Sequence, residues 1–355
     1  LHFEQAWRHL QSHRQPAGVF ATWQWHSTAA RFLARDARLH VALVERDGEP
    51  MAIAPFVYRR KLGMAWLAFL GAGLADYAFA DYQDFVYKPG EEQDVLRTFA
   101  AHLADQKWDV LHLQELPPGS PTIDLLPSLA LDHGWHVVVR PDCDVHRVTL
   151  PPAWETYLSG VSASWRKEMQ RKQRRLEAEK GATFHRFTRE DDIGAAVDAL
   201  VDLHTARWNA VAKPGIFATP QARAFYTNLA YAMRDDGMLY MSKIERGGET
   251  VGAGFGFDYQ GTRYAYTYGY NPGPEWERYS LGLMLDCFSL RNGIEEGIAT
   301  VDLMRGEAEY KKRYGVVSDR NVEVFVFRSR QAYLLWQAYE TLRSTAKRAL
   351  RRWRS

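Results

Sequence analysis

The sequence predicts an α/β protein with mixed (α+β) sheets, built from two similar lobes with a cleft between them. Three observations carry this reading. At 355 residues the chain is longer than one hydrophobic core usually spans. A hairpin with a charged glycine turn occurs twice, at Asp47-Gly48 and at Gly247-Gly248, each followed by a strand, a helix and a further strand. At Pro151-Pro152 the composition changes abruptly to a charged helical run.

In the first lobe, residues 1–150, strands are expected over 39–44 and 50–58, joined through Arg46-Asp47-Gly48-Glu49. Further strands follow over 64–70 and 84–87, then a helix over 91–105 and a strand over 108–113. A turn at Pro117-Pro118-Gly119-Ser120 leads to a helix ending near His133 and to two strands, 135–139 and 145–150. Residues 151–181 form a basic helical connector. Its Arg166, Lys167, Arg171, Lys172, Arg174, Arg175 and Lys180 outnumber the acids, and Gly181 stands where a C-terminal glycine cap belongs.

The second lobe, residues 182–330, reads as strand 183–187, helices 191–209 and 220–234, strands 238–244, 250–259 and 263–270, helix 281–293, strand 299–303, a short helix around Tyr310 and strand 322–328. Residues 331–355 form a basic amphipathic helix. The chain opens on Leu1 without an initiator Met, so a short segment is expected upstream, either removed or lying outside the structure.

Composition excludes several classes. Hydrophobic residues at 46% and charged residues at 25% are globular averages. The 45 basic and 43 acidic side chains leave a net charge of +2, so no global field gathers nucleic acid. Two cysteines, Cys143 and Cys287, sit far apart with no metal-ligand spacing, which points to a reducing, cytoplasmic setting and to no metal. The longest apolar run, 62–75, holds three glycines and ends at Asp76, too short to span a bilayer. The 12 Trp, 18 Tyr and 17 Phe are more than two cores need and suggest an aromatic-lined groove.

Four constellations could carry chemistry. From Tyr270 to Leu283 a strand passes into a helix through a loop ending Arg278-Tyr279-Ser280-Leu281-Gly282. A helix start of this kind aims unpaired N–H groups outward, where a phosphate can accept them. His204, Arg207 and Trp208 share one helical face at i, i+3 and i+4 and suit a carboxylate, phosphate or sugar. Asp302 ends a strand, and Tyr310-Lys311 follow a glycine turn, so a carboxylate, a phenol and an ammonium can meet at one centre. Asp76-Tyr77 and Asp81-Tyr82, with Asp84, offer a second base and a stacking wall. In each case the plain alternative is a capped helix or a solvated surface.

The motifs Phe69-Leu70-Gly71, Asp81-Tyr82-Gln83-Asp84-Phe85, the basic helix, His204-x-x-Arg207-Trp208, Ser280-Leu281-Gly282 and Asp302-Leu303-Met304-Arg305-Gly306 with Tyr310-Lys311 follow one another in an order that resembles the CelD/BcsL-type acetyltransferases. Those are two-lobed GNAT-like proteins related to the Fem peptidyl transferases. Leu281 departs from the Gly or Pro expected in the GNAT phosphate loop.

The resemblance implies two fused GNAT-like lobes and an N-acyltransferase moving an acyl group from acyl-CoA to a small-molecule, glycan or peptide amine, often in cell-envelope or exopolysaccharide synthesis. It places acyl-CoA on Tyr270, Arg278, Ser280, Leu281 and Gly282. The acceptor falls to Tyr82, Asp84, His204, Arg207, Trp208 and Tyr268, and catalysis to Asp302, Tyr310 and Lys311. Two alternatives stand beside it: a Fem-like transferase using aminoacyl-transfer RNA, and a silent scaffold subunit of a polysaccharide synthase. The C-terminal helix, with its basic and apolar residues, suits peripheral contact with an anionic membrane.

Overall fold

The two charged glycine turns close two-residue hairpins. Asp47 and Gly48 have φ of 54° and 80°, and Gly247 and Gly248 have φ of 57° and 85°. Positive φ at both central positions matches the twist of antiparallel strands, and glycine adopts it without strain. The computed structural model describes residues 2–34, 37–71, 80–306 and 309–354, with side chains to residue 346.

In chain order the elements are α1 (His2–Gln11), α2 (Trp23–Phe32), β1 (Arg38–Arg46), β2 (Glu49–Lys61), β3 (Met64–Phe69), β4 (Val86–Tyr87), α3 (Glu92–Ala104), β5 (Val110–Leu116), α4 (Pro121–Asp132) and β6 (His136–Thr149). There follow α5 (Trp154–Gly160), α6 (Ala163–Lys180), β7 (Thr183–Arg186), α7 (Ile193–Asn209), α8 (Pro220–Asp235), β8 (Leu239–Arg246), β9 (Glu249–Tyr259) and β10 (Thr262–Tyr270). The chain ends with α9 (Pro274–Glu277), α10 (Leu281–Glu295), β11 (Thr300–Arg305), a 3₁₀ turn (Glu309–Tyr314), β12 (Val317–Phe327) and α11 (Arg330–Arg354).

The helices begin where their capping residues predict. Ser120 before Pro121, Asp192, and Thr219 before Pro220 accept hydrogen bonds from the first turns of α4, α7 and α8, and Gly181 closes α6 in the left-handed conformation at φ 61°. Two helices absent from the expectations, α1 and α2, precede β1 and bury Trp7 and Trp25.

The strands form one mixed sheet in the order β1-β2-β3-β5-β12-β6-β11-β10-β9-β8-β7, with β4 beside β2. Its two halves repeat a device. β3 pairs in parallel with β5 only over Trp66–Ala68, and β10 pairs in parallel with β11 only over Thr262–Tyr264. Beyond those residues each pair splays.

Two expectations change. The strands expected over 135–139 and 145–150 are one strand, β6, because the bend at Pro141 is absorbed by a register shift in its partner between Arg320 and Val322. β12 begins at Val317 rather than Val322, and it lies between β5 and β6, so the end of the chain returns to the sheet of the first half.

The helices pack in separate clusters. α1, α2, α7 and α8 bury Phe20, Trp25, Leu200, Phe225 and Tyr226 against Phe255 and Phe257. α3 and α4 cover the first half through Leu96, Phe99 and Leu126. α5, α6 and α10 bury Tyr157, Trp165, Leu176 and Leu285 against Val301 and Leu303.

Candidate active site

The divergence of β10 from β11 opens a cavity of about 790 Å³, lined by Trp165, Arg207, Trp208, Tyr268, Tyr270, Ser280, Leu281, Gly282 and Tyr310 among others. Ser280 precedes α10 in the left-handed conformation, φ 53° and ψ 63°, and its side chain caps no helix N–H. Instead Lys172 Nζ of α6 donates to Ser280 Oγ at 2.6 Å. Met284 N–H closes onto the Ser280 carbonyl. The N–H groups of Leu281, Gly282 and Leu283 therefore have no acceptor within the helix. At Gly282 a Cβ would stand 2.9 Å from the Tyr270 ring, so glycine keeps this wall open. A helix dipole, free N–H groups and an ammonium meet at one end of the cavity, which suits an anion.

At the other end lies a smaller chamber of about 230 Å³, lined by Asp81, Tyr266, Met304, Arg305 and Lys311. Arg207, Tyr268, Asp286 and Tyr310 line both spaces. Asp286 of α10 is buried, and burial pushes its carboxyl up to about 6, although the hydroxyl of Tyr314, donating to Oδ2 at 2.9 Å, and the Lys311 charge pull the other way. The buried Tyr268 hydroxyl lies beside it, and its interaction with the Asp286 carboxyl also favours the ionised form. Lys311 is buried, and its ammonium is held below the usual lysine range by desolvation. Nζ donates to the carbonyls of Met304 at 3.2 Å and Arg305 at 2.6 Å. An ammonium has three N–H donors, so one remains for a bound oxygen. Arg207 stacks over Tyr270 at 4.6 Å and Trp208 at 5.3 Å.

Of the residues the sequence singled out, Tyr268, Tyr270, Arg207, Trp208, Ser280, Leu281, Gly282, Tyr310 and Lys311 are brought together here. Asp302 is not. Its neighbour Leu303 packs under α10, and strand alternation turns Asp302 to the opposite face. There it lines a separate cavity of about 400 Å³ with Tyr82, Tyr264, Arg14 and Arg147. Tyr82 Oη donates to Asp302 Oδ2 at 2.6 Å and the Met304 N–H donates to Oδ1 at 2.8 Å, and burial pushes the carboxyl up to about 6.

Asp84 is also away from the site. It accepts from Ser120 Oγ at 2.5 Å, Thr122 Oγ1 at 2.6 Å and Phe85 N at 2.9 Å, which binds the start of α4 to the segment before β4. His204 is buried against Phe217 and accepts from Trp208 Nε1 at 2.9 Å, and burial with the Arg207 charge nearby pulls it down to about 4. It steadies Trp208 from behind. Arg278 points away and pairs with Glu179 at 2.6 Å. Asp76 and Tyr77 lie outside the described residues.

Sequence reasoning missed Asp286, and it named Lys172 and Arg305 only within the basic helix and the motif after Asp302, with no role in the site. A lone carboxylate within the apolar run Leu281-Gly282-Leu283-Met284-Leu285-Asp286-Cys287-Phe288 was the available signal for the first. Arg305 joins the halves, pairing with Asp81 and, at 2.8 Å, with Glu115. No sequence feature revealed that contact.

Residues 163–312, which hold the basic helix and every residue lining the larger cavity but Arg313, match the family model described as an acetyltransferase (GNAT) domain. The fold as a whole is mixed α/β and GNAT-like. It superposes on the crystal structure of FemX at a TM-score of 0.63 and 12% identity, over 94% of this chain and 97% of that one. A conserved protein of unknown function from Bacteroides thetaiotaomicron is similar at 0.60 and 11%, covering 91% and 97%. L-PGS from Bacillus licheniformis is similar at 0.52 and 13%, covering 89% and 90%. No curated protein matches the sequence.

Proposed function

We propose that the chain is an N-acyltransferase that takes its acyl group from acyl-CoA and passes it directly to an amine. The observation that carries this reading is the α10 start, where free N–H groups, Gly282 and Lys172 make an anion seat at one end of a cavity whose other end holds Asp286 and Lys311. The donor's pyrophosphate occupies that seat, and its thioester extends along the unpaired edge of β10. Asp286 is an anion above about pH 6 and takes the proton that the attacking amine must lose. The remaining N–H of Lys311 and the Tyr310 hydroxyl stabilise the oxyanion that forms as the amine nitrogen bonds to the acyl carbon. The C–S bond then breaks, and coenzyme A leaves as a thiol after taking a proton. Asp302, with both oxygens engaged on the other face of the sheet, is not the base in this scheme.

The motif order resembling CelD/BcsL-type proteins supports an envelope glycan or peptide amine as acceptor. Aminoacyl-transfer RNA is the rival donor, favoured by one observation: Lys167, Arg171, Arg174 and Arg175 lie on α6, the helix whose Lys172 reaches the anion seat. Thermal shift of the folded chain with acetyl-CoA, longer acyl-CoAs and an aminoacyl-transfer RNA decides between them. A true donor at 100 times its Kd stabilises the fold by about 2.7 kcal/mol. Acyl-CoA is expected to raise Tm. A rise with aminoacyl-transfer RNA alone would replace the donor, and a rise with none would sink the transferase reading.

A further inference from the structure

α11 begins as part of the fold and then leaves it. Ala332 and Trp336 are buried against Trp66, Phe325 and Phe327, and Glu340 pairs with Arg140 at 3.5 Å. On the side turned away from that seat, Leu335 is 60% and Leu342 71% exposed, with Leu334 at 50%. Leu335, Ala338, Leu342 and Ala346 follow at intervals of three and four, which lines them along one stripe of a helix. The sequence continues the same spacing at Ala349 and Trp353.

The rest of the helix is basic. Across Arg330–Arg354 the sequence sets Arg330, Arg343, Lys347, Arg348, Arg351, Arg352 and Arg354 against a single acid, Glu340. An apolar stripe left in water costs free energy, so the stripe calls for an occupant. A second copy would bring two such basic segments together with one acid on each to offset them. An anionic lipid surface accepts both features at once, headgroups for the cations and the acyl boundary for the leucines.

We infer that α11 docks this protein on anionic bilayers, lying in the plane of the interface with Leu335 and Leu342 inserted. Among the described residues no helix is long and apolar enough to cross a membrane, so the contact is with one surface only. The inference does not depend on the chemistry proposed for the cavity.

Co-sedimentation of the full chain with large vesicles tests it, using phosphatidylcholine alone and phosphatidylcholine with about one-third phosphatidylglycerol, in about 0.1 M salt. The chain is expected to bind the anionic vesicles and not the neutral ones, and to be released by high salt. Leu335→Glu with Leu342→Glu is expected to weaken partitioning by at least about ten-fold. Because both leucines are exposed, Tm stays unchanged. Equal binding to neutral vesicles, or anionic binding untouched by the double variant, would overturn the inference. So would an absence of vesicle binding, and in that case a dimer or a duplex-RNA complex lost in the double variant identifies the occupant instead.

Discussion

Replacing Asp286 by Asn separates a catalytic carboxylate from a structural one, because the two roles predict opposite signs for stability. The folded carboxyl sits at about 6 against an ordinary 3.8, with burial as the main cause. An acid raised in the folded state destabilises the protein where it must be ionised. At about 1.4 kcal/mol per pH unit, that difference makes the Asp286 anion cost roughly 3 kcal/mol at pH 7. The penalty is complete above about pH 6, shrinks as pH falls, and is gone below about 3.8. Asn keeps the shape and an acceptor for the Tyr314 hydroxyl, and carries no charge. The variant is therefore expected to melt at the same temperature as the parent or higher at pH 7, with the gain vanishing near pH 4. Activity moves the other way. Loss of a positioned base lowers kcat/KM by about 10²- to 10⁴-fold and removes the acidic limb centred near pH 6. The assay is release of coenzyme A thiol from acetyl-CoA with an amine found by screening polyamines, amino sugars and amino acids. Near-parental activity with the limb in place, or a large fall in Tm at pH 7, would refute the assignment.

Lys311→Met is expected to lower turnover by at least about 10²-fold, and by freeing the Met304 and Arg305 carbonyls it also destabilises by about 1–3 kcal/mol. Lys312→Met, at a side chain 61% exposed and paired with the exposed Glu309, changes neither, and equal activity for both variants would remove Lys311 from the mechanism. Asp84→Ala strands three buried donors and is expected to cost roughly 3 kcal/mol or more while kcat of the folded fraction holds; a selective fall in kcat would return Asp84 to the site. Asp302→Asn is expected to leave the acidic limb of the pH profile where it is, and a shift of that limb would make Asp302 the base.

How much of this could be read from the chain depended on the range of the interaction. The hairpins were legible because Asp47-Gly48 and Gly247-Gly248 decide their own φ, and Gly181 closes α6 by the same local logic. The Ser280-Leu281-Gly282 start of α10 was legible for that reason too. β6 was not, since Pro141 is tolerated only because a distant strand shifts register opposite it. Asp302 and Asp286 show the same limit within the site. Both are single carboxylates in apolar surroundings, and both are pushed up to about 6 by burial. Only the facing of β11 and the packing of α10 decide which one meets Lys311, and those depend on contacts spread across the sheet.

The central claim is that the α10 start seats the donor's pyrophosphate, and the most direct test is calorimetric titration of acetyl-CoA into the parent chain and into Gly282→Asp. Asp at 282 puts a side chain where a Cβ alone would already stand 2.9 Å from Tyr270, and adds a negative charge among the free N–H groups. The account predicts one-to-one binding to the parent and none to the variant, with both chains folded. Equal affinity for acetyl-CoA in the two would contradict it.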